Sequence, residues 1–202
     1  MGMGNHGFTV YESPIGPLTL TGDGVALTGL WFPGRGPAQD EAEHRPEGFA
    51  AAIDQLEAYF RGERREFDLT LRPRGTPFQH RVWAALRMIS YGQITSYGAL
   101  ARGLSDDADG AWVSPRAIGA ANGANPISII VPCHRVIGFD GSLTGYGGGL
   151  QRKRTLLELE AAGKDGQGRT RGGGCATLQG SDSEGNQRAR PSTERPLPAK
   201  AA

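Results

Sequence analysis

Cysteine is almost absent from this chain, since Cys133 and Cys175 are the only two among 202 residues. Two thiols do not make the disulfide framework of a small secreted domain, and Cys133 with the neighbouring His134 cannot complete four ligands at zinc spacing. The sequence therefore predicts no structural disulfide, no metal and no other cofactor. Cys133 is expected to be a free thiol.

Long apolar runs are also lacking. No stretch of 18 apolar residues occurs, and residues 1–8 do not place a basic region before an apolar one. A membrane span needs such a stretch, and a signal peptide needs that order. The sequence predicts a cytoplasmic protein with no membrane partner.

Large apolar side chains are scarce in the last part of the chain. From Lys164 to Ala202 only Leu178 and Leu197 are of this kind, among many Gly, Ser, Arg and Pro residues. Such a segment cannot bury enough surface to offset the entropy of ordering it. We expect residues 164–202 to form a disordered tail.

Neither basic nor acidic residues are in large excess over the whole chain, because the formal net charge is only +1. The charges are nevertheless distributed unevenly: residues 1–75 carry 7 basic and 11 acidic side chains, and residues 76–163 carry 8 and 6. The basic excess of the second part fits a polyanionic partner. A solvated surface explains so small an excess equally well.

The first part of the chain predicts a small sheet domain. Three stretches alternate apolar and polar residues between Gly-rich turns and predict an antiparallel meander: 8–14, 16–21 and 25–32. After a polar connection over 40–48, apolar residues recur at helical spacing from Phe49 until Gly62 ends the run, and 66–71 could return to the sheet. This domain shows no evident chemistry.

The second part predicts a helical domain. Thr76 and Pro77 are typical of a helix start, and Gly92 closes that helix. Thr95 or Ser96 caps a short helix over 96–102, and Ser114 opens a third one to about Asn122. Four further features complete the pattern of a winged helix-turn-helix: the long connection 103–113, an apolar strand over 127–131, a Gly-rich hairpin over 138–149 and a closing helix over 150–162.

The sequence therefore predicts an α+β fold with three parts. Residues 1–75 form an antiparallel-sheet domain, residues 76–163 form a winged helix-turn-helix domain, and the tail follows.

An isolated cysteine is usually a small buried hydrophobe. Cys133, however, follows the predicted apolar strand at a proline, where a strand end can present its side chain to a cleft. The adjacent His134 and Arg135 could favour the thiolate form, which is the nucleophile. Because consecutive residues of a strand point to opposite sides, His134 is expected to reach the sulfur through a bridging water. Cys133 is thus either a nucleophile or a core residue.

Glu160 lies on the inward face of the closing helix, three residues after Leu157, and could orient the imidazole of His134. The alternative is a carboxylate at a helix end that is satisfied by backbone or solvent. The Gly-rich stretch 145–149 lacks the Lys and Ser/Thr of a phosphate-binding loop, so nucleotide binding is not predicted.

Arg116 stands in the first turn of the predicted third helix, where a positive charge opposes the helix dipole. In a helix-turn-helix protein this helix enters a nucleic-acid groove, so Arg116 could contact DNA. A surface pair with Asp106 or Asp107 is the alternative. Tyr97, at the start of the preceding helix, either packs in the core or presses on a sugar-phosphate backbone.

Five stretches taken together closely resemble the O6-alkylguanine-DNA alkyltransferases. They are TPFQHRVW from residue 76, GQITSYGALA from 92, RAIGAANGANP from 116, IIVPCHRVI from 129 and GYGGGL from 145. The resemblance spans about 76–163, and 8–71 looks like the more variable N-terminal domain of that family. Two features depart from the pattern: the connection 103–113 is longer than in compact members, and Thr155 stands where many members have Trp.

The resemblance implies a catalytic set of five residues. Cys133 would accept the alkyl group, and His134 and Glu160 would form a relay with a water. Asn125 would fix the turn between recognition helix and active-site segment. Tyr97 would protonate the leaving base.

The resemblance also implies a DNA surface and a base pocket. Tyr97 would rotate the target nucleotide, Arg116 would occupy the gap it leaves, and Ser96 would contact DNA. Tyr146 and Val136 would line the pocket for the alkylated base.

The function implied is single-turnover DNA repair, in which the alkyl group of O6-alkylguanine moves to Cys133; O4-alkylthymine is a second candidate lesion. The implied partner is double-stranded DNA carrying the lesion, and the implied state is a monomer. One alternative is a DNA-binding module of the alkyltransferase-like type, although those proteins replace the acceptor cysteine, commonly with Trp. Another is a thiol protease, which the adjacent His134 matches poorly.

Overall fold

The computed structural model describes residues 7–37, 43–106 and 112–165, with side chains as far as Gly163. The predicted disordered tail lies outside the described residues, apart from the helical backbone of 164 and 165.

The N-terminal part contains a four-stranded sheet in the order β3-β2-β1-β4. Its strands are β1 (Gly7–Ser13), β2 (Gly16–Gly22), β3 (Leu27–Trp31) and β4 (Glu43–His44). The first three pair antiparallel, as the alternation of apolar and polar residues predicts. Strand β4 pairs parallel to β1 over two residues and was not predicted, because both of its side chains are exposed and leave no alternating pattern.

A short 3₁₀ turn (Pro46–Phe49) leads into helix α1 (Ala50–Phe60), which packs its apolar side on the sheet. Leu56 and Tyr59 are fully buried. Gly62 adopts φ of 75°, a conformation that Gly takes without strain, and this ends the helix where the sequence predicts. Residues 66–71 do not form a strand; Leu71 makes only one bridge, to Leu27.

The C-terminal part holds helices α2 (Pro77–Arg87), α3 (Tyr97–Asp106), α4 (Pro115–Gly123) and α5 (Leu150–Asp165). Their starts follow from local chemistry. Thr76 and Gln79 form a reciprocal capping box, and the hydroxyls of Ser96 and Ser114 accept hydrogen bonds from the first turns of α3 and α4. The predicted helix-turn-helix of α3 and α4 is therefore present.

The strand predicted over 127–131 is wrong. These residues form a compact turn in which the Val131 N–H donates to the Ile127 carbonyl at 3.0 Å, and Ile129 has φ of 70°. Ile127 makes only a single bridge, to Leu30 of β3. A side-chain hydrogen bond takes the place of the backbone hydrogen bonds of a strand: the Asn125 amide donates to the Val131 carbonyl at 2.8 Å. A short apolar run does not distinguish a strand from a buried turn.

The hairpin predicted over 138–149 is also wrong, since none of these described residues belongs to a strand. The Gly138 N–H donates to the Ser142 carbonyl at 2.8 Å, which closes a tight turn instead. Before it, β6 (Val136–Ile137) pairs parallel with β5 (Thr95–Ser96) over two residues. This pairing places the segment after Cys133 beside the start of α3.

One hydrophobic core joins both parts, and it includes Leu20 and Leu30 of the sheet, Leu86 of α2, Ile118 of α4 and Leu156 of α5. Among the described residues, no helix is both long and apolar enough to cross a membrane.

Candidate active site

Cys133 begins a 3₁₀ turn (Cys133–Arg135) immediately after Pro132, not the end of a strand. Its side chain is buried, with 5% of the residue surface exposed, and it makes no disulfide. The opposite-sides argument for consecutive strand residues therefore does not apply to Cys133 and His134. The side chains of Cys133 and His134 nevertheless diverge as expected, because the imidazole of His134 points toward Glu160 of α5.

Glu160 of α5 is the centre of a buried hydrogen-bond network, as the inward-face prediction requires. Its Oε1 lies 2.9 Å from His134 Nε2 and accepts from the Tyr59 hydroxyl and from Arg135 Nη2, both at 2.8 Å. Its Oε2 accepts from Arg135 Nε at 2.9 Å and from the Gly92 N–H at 3.1 Å. Burial would raise the pKa of Glu160, but the hydrogen bonds from His134 and Arg135 hold this pKa well below its usual range.

The ionised Glu160 fixes the protonation of His134. Because a carboxylate can only accept, Nε2 of His134 must carry a proton. Burial lowers the pKa of His134, although Glu160 opposes this, so the imidazole is neutral. Its Nδ1 is then an acceptor, and this buried atom has no hydrogen-bond partner among the described residues. The open Nδ1 can take up a proton.

Two groups favour the thiolate of Cys133. Burial raises the pKa of this thiol, whereas the neighbouring Asn125 amide and the positive charge of Lys153 lower it. Lys153 is fully buried and donates its Nζ to the Val136 carbonyl at 2.7 Å and the Thr144 carbonyl at 2.9 Å. The sulfur therefore lies close to a cation in a site with little water.

Lys153 is a residue that the sequence reasoning missed. It lies three residues before Leu156 and seven before Glu160, on the same buried face of α5. That helical spacing was the available signal, because a lysine on an apolar face rarely lacks a partner.

Asn125 lies where the sequence predicts, at the turn before the active-site segment. Besides donating to Val131, its Oδ1 accepts the Ile127 N–H at 3.0 Å. The neighbouring Asn122 donates to the carbonyl of Cys133 at 3.3 Å. Both amides thus hold the backbone around the thiol.

A narrow cavity opens beside Cys133. Three of the residues that line it each carry a buried polar atom without a hydrogen-bond partner among the described residues: Trp31 Nε1, Asn122 Oδ1 and the Tyr146 hydroxyl. Native proteins rarely leave such atoms unpaired, so a cluster of three marks a place for a polar ligand. Tyr146 is at the pocket, as predicted.

The other predicted pocket residue, Val136, is fully buried and does not border this cavity, although its carbonyl binds Lys153. The sheet domain supplies part of the wall that the sequence reasoning missed. Trp31 and Phe32 come from the end of β3, and the ring of Phe32 packs edge-on against Tyr146 at 5.5 Å between centroids.

The predicted DNA-contacting residues belong to the helix-turn-helix. Tyr97 opens α3 half-buried, with its ring centre 5.9 Å from Lys153 Nζ and near Gly119 of α4. Ser96 is engaged as the helix cap. Arg116 is exposed in the first turn of α4, and no carboxylate of the described residues pairs with it; Asp107 lies outside them.

Comparisons with known proteins agree with this geometry. Residues 77–162 match the family model "6-O-methylguanine DNA methyltransferase, DNA binding domain", and residues 8–73 match "6-O-methylguanine DNA methyltransferase, ribonuclease-like domain". A methylated-DNA–protein-cysteine methyltransferase of Mycobacterium bovis is 54% identical over 155 residues, which cover 76% of this chain and 91% of the relative.

Two solved structures are similar as well. The crystal structure of Mycobacterium tuberculosis O6-methylguanine methyltransferase has a TM-score of 0.70 at 53% identity, over 78% of this chain and 93% of that one. Mycobacterium tuberculosis OGT in complex with DNA has a TM-score of 0.70 at 51% identity, over 77% and 93% of the two chains.

Proposed function

Because the chain belongs to the 6-O-methylguanine DNA methyltransferase family, we propose that it repairs DNA by moving the alkyl group of O6-alkylguanine to its own Cys133. The observation that carries this proposal is the buried thiol beside Lys153, with the open Nδ1 of His134 backed by Glu160. O4-alkylthymine is a second candidate substrate.

The chemistry begins with the proton of Cys133. A water between the sulfur and Nδ1 of His134 passes this proton to the imidazole, and Glu160 stabilises the imidazolium that forms. Lys153 stabilises the thiolate at the same time. The relay therefore separates a proton from sulfur inside a buried site without leaving either charge unpaired.

The thiolate then attacks the carbon attached to O6. A sulfur–carbon bond forms, the carbon–oxygen bond breaks, and its electron pair stays with guanine. The hydroxyl of Tyr97 is the donor that protonates the base as this charge develops. The imidazolium of His134 then gives up its proton through solvent, and the phenolate of Tyr97 takes one up. In the balance, the alkyl group replaces the thiol proton and guanine gains one proton, so the transfer is redox-neutral and needs no cofactor.

The product is a thioether, which lacks a good leaving group. Each chain therefore acts once, and one alkyl group is taken up per molecule. The pocket beside Cys133 is lined by Tyr146, Asn122 and Trp31, whose unpaired polar atoms are the candidates to bind the entering base or its substituent.

Access requires that the nucleotide leave the duplex, because O6 lies within the base stack. Extrusion costs on the order of a few kcal/mol. Tyr97 rotates the nucleotide outward, Arg116 at the start of α4 fills the vacancy, and Ser96 contacts the DNA backbone beside them. A duplex docked on α4 brings the lesion to the mouth of the pocket. The protein acts as a cytoplasmic monomer in this proposal.

The two alternatives are less well supported. An alkyltransferase-like module without transfer does not need an acceptor, whereas Cys133 is present with a complete set of partners. A thiol protease needs a direct contact between thiol and imidazole, whereas Nδ1 of His134, the nitrogen not bound to Glu160, has no hydrogen-bond partner among the described residues.

Intact-mass measurement tests the proposal. After incubation with a duplex that carries O6-methylguanine, the protein should gain one methyl group, located on the peptide that contains Cys133. Cys133→Ala should gain none. An unmodified wild-type protein, or a methyl group on another residue, would refute the proposal.

A further inference from the structure

The N-terminal sheet domain reaches the proposed relay through one side chain. Tyr59 lies in the last turn of α1, is fully buried, and donates its hydroxyl to Glu160 Oε1 at 2.8 Å. The two residues are 101 positions apart in the chain. The domain that shows no evident chemistry in its sequence thus touches the carboxylate that orients His134.

The hydroxyl of Tyr59 binds the same oxygen as the imidazole. Oε1 of Glu160 accepts three hydrogen bonds, from the Tyr59 hydroxyl, His134 Nε2 and Arg135 Nη2, so each donor competes with the other two for the same oxygen. Burial and the neighbouring Glu160 charge raise the pKa of Tyr59 well above its usual value. Tyr59 therefore remains protonated and acts only as a donor.

We propose that Tyr59 is a positioning residue for alkyl transfer, which acts through Glu160 by holding Oε1 in place and by limiting its pull on the proton of His134 Nε2. This inference rests on the proposed function. The consequence is that His134 stays neutral and its Nδ1 stays ready to accept the thiol proton.

The charged and titratable groups around this contact remain when the hydroxyl is removed. Glu160 keeps both bonds from Arg135 and the bond from the Gly92 N–H, and the positive charge of Lys153 still acts on His134. Tyr91 packs against the Tyr59 ring at 5.9 Å between centroids and donates its own hydroxyl to the Leu159 carbonyl. Tyr59→Phe therefore changes one donor and little else.

The direction of the effect follows from this loss. With one donor fewer, Oε1 attracts the Nε2 proton more strongly and stabilises the imidazolium, so the pKa of His134 rises. The transfer requires a neutral Nδ1, so the acid limb of its pH–rate profile moves to higher pH. On that limb the rate should fall roughly threefold to tenfold, the factor for losing one hydrogen bond. At alkaline pH, where His134 is neutral in both proteins, the variant should be no slower than the wild type, because a more basic imidazole takes the thiol proton at least as readily.

The experiment follows single-turnover transfer against pH for Tyr59→Phe, with two substrates: methylated duplex and free O6-benzylguanine. Both substrates use the relay, so both should slow by the same factor. Tyr11→Phe is the matched control, because Tyr11 lies in the same domain and packs on Phe60 without contacting Glu160. This control should keep the wild-type profile.

A second substitution keeps the test decisive if Tyr59→Phe does not fold. Incorporation of 3-fluorotyrosine at position 59 retains the ring and the hydroxyl but makes it a stronger donor. The acid limb should then move to lower pH. Wild-type profiles for both substitutions, or a loss confined to duplex DNA, would overturn the proposal and leave Tyr59 as a packing residue or a DNA-coupled one.

A readout without DNA separates this inference from the proposed function. Titration of the His134 ring signals by NMR in the unreacted protein should give a higher pKa in Tyr59→Phe than in the wild type. If the wild type transfers no alkyl group, the proposed function fails whatever the titration shows. If it transfers normally and the His134 titrations coincide, only the role of Tyr59 fails.

Discussion

The Nζ of Lys153 lies 2.7 Å from the main-chain carbonyl of Val136, and the lysine side chain is completely buried. A buried ammonium is costly, and burial lowers the pKa of Lys153, although the facing Cys133 charge raises it. Two carbonyl oxygens accept two of its three protons. Only a negatively charged group can compensate the positive charge of the ammonium. The thiolate of Cys133 is the group in the site that can do so.

Lys153→Met should therefore make Cys133 harder to ionise. The variant keeps the length of the side chain but removes the charge that lowers the pKa of the thiol. We expect slower reaction with iodoacetamide and with alkylated DNA at neutral pH, and a difference that shrinks as pH rises. The pH dependence of iodoacetamide labelling at Cys133 measures this directly.

The neighbouring Arg154 is exposed, so Arg154→Met provides the control for loss of a cation on the same helix. It should react like the wild type. Identical labelling curves for Lys153→Met and the wild type would show that Lys153 does not stabilise the thiolate.

Glu160 should make the protein sensitive to acid. Its pKa is depressed in the folded state, so its contribution to stability is present above the unfolded value of 4.5 and is lost as pH falls toward the folded value. Glu160→Gln leaves Arg135 buried without its partner and should cost about 3–5 kcal/mol at neutral pH. Urea unfolding at a series of pH values measures both effects.

The exposed Glu158, two residues earlier on α5, gives the matched control Glu158→Gln, which should unfold like the wild type. In Glu160→Gln the fall of stability below pH 4.5 should be smaller. Parallel stability curves for Glu160→Gln and the wild type would mean that Glu160 is not ionised in the folded protein.

Arg116→Ala should separate DNA handling from chemistry. Arg116 is exposed in the first turn of α4 and does not touch the thiol site, so reaction with free O6-benzylguanine should be unchanged. Reaction with methylated duplex should fall about tenfold or more, because the side chain that offsets extrusion is lost. Single-turnover rates on both substrates test this.

Arg61→Ala removes the same charge from the sheet domain, where Arg61 pairs with Glu57 and Glu63. It should leave both rates unchanged at fixed salt. Equal losses on both substrates in Arg116→Ala would argue that Arg116 supports the fold or the pocket instead of the duplex.

The parts of the fold that the sequence predicted depend on neighbours in the chain. The cap at Thr76, the cap at Ser114 and the stop at Gly62 each involve residues within a few positions. Such signals can be recognised without knowledge of the tertiary structure, and the corresponding helix ends were found nearly where predicted.

The predictions fail where residues that are far apart in the sequence determine the local structure. The apolar run 127–131 forms a turn because Asn125 satisfies its backbone and β3 covers it at Leu30. For the site, Cys133, His134 and Glu160 could be named from the sequence, whereas Tyr59 and Trp31 could not. Nothing in their local pattern shows that they meet residues about a hundred positions away.

Asn125 offers a test of how the active-site turn is held. Its amide bonds Val131 and Ile127, and within that turn the β-branched Ile129 adopts a φ of 70°, a conformation that costs about 1–3 kcal/mol. Asn125→Ala leaves the buried Ile127 N–H unpaired, whereas the carbonyls of Val131 and Ile127 still accept from backbone N–H groups. The free energy of unfolding should fall by about 1–3 kcal/mol. Because the amide also lowers the pKa of Cys133, labelling by iodoacetamide should slow at neutral pH.

Urea unfolding and the pH dependence of labelling measure these two effects of Asn125→Ala separately. Gln93→Ala is the control, since Gln93 is an exposed amide side chain outside the turn, and it should change neither quantity. A variant as stable as the wild type would show that the turn holds its shape without Asn125. Loss of stability with unchanged labelling would instead limit Asn125 to the backbone, and would leave Lys153 as the group that sets the ionisation of the thiol.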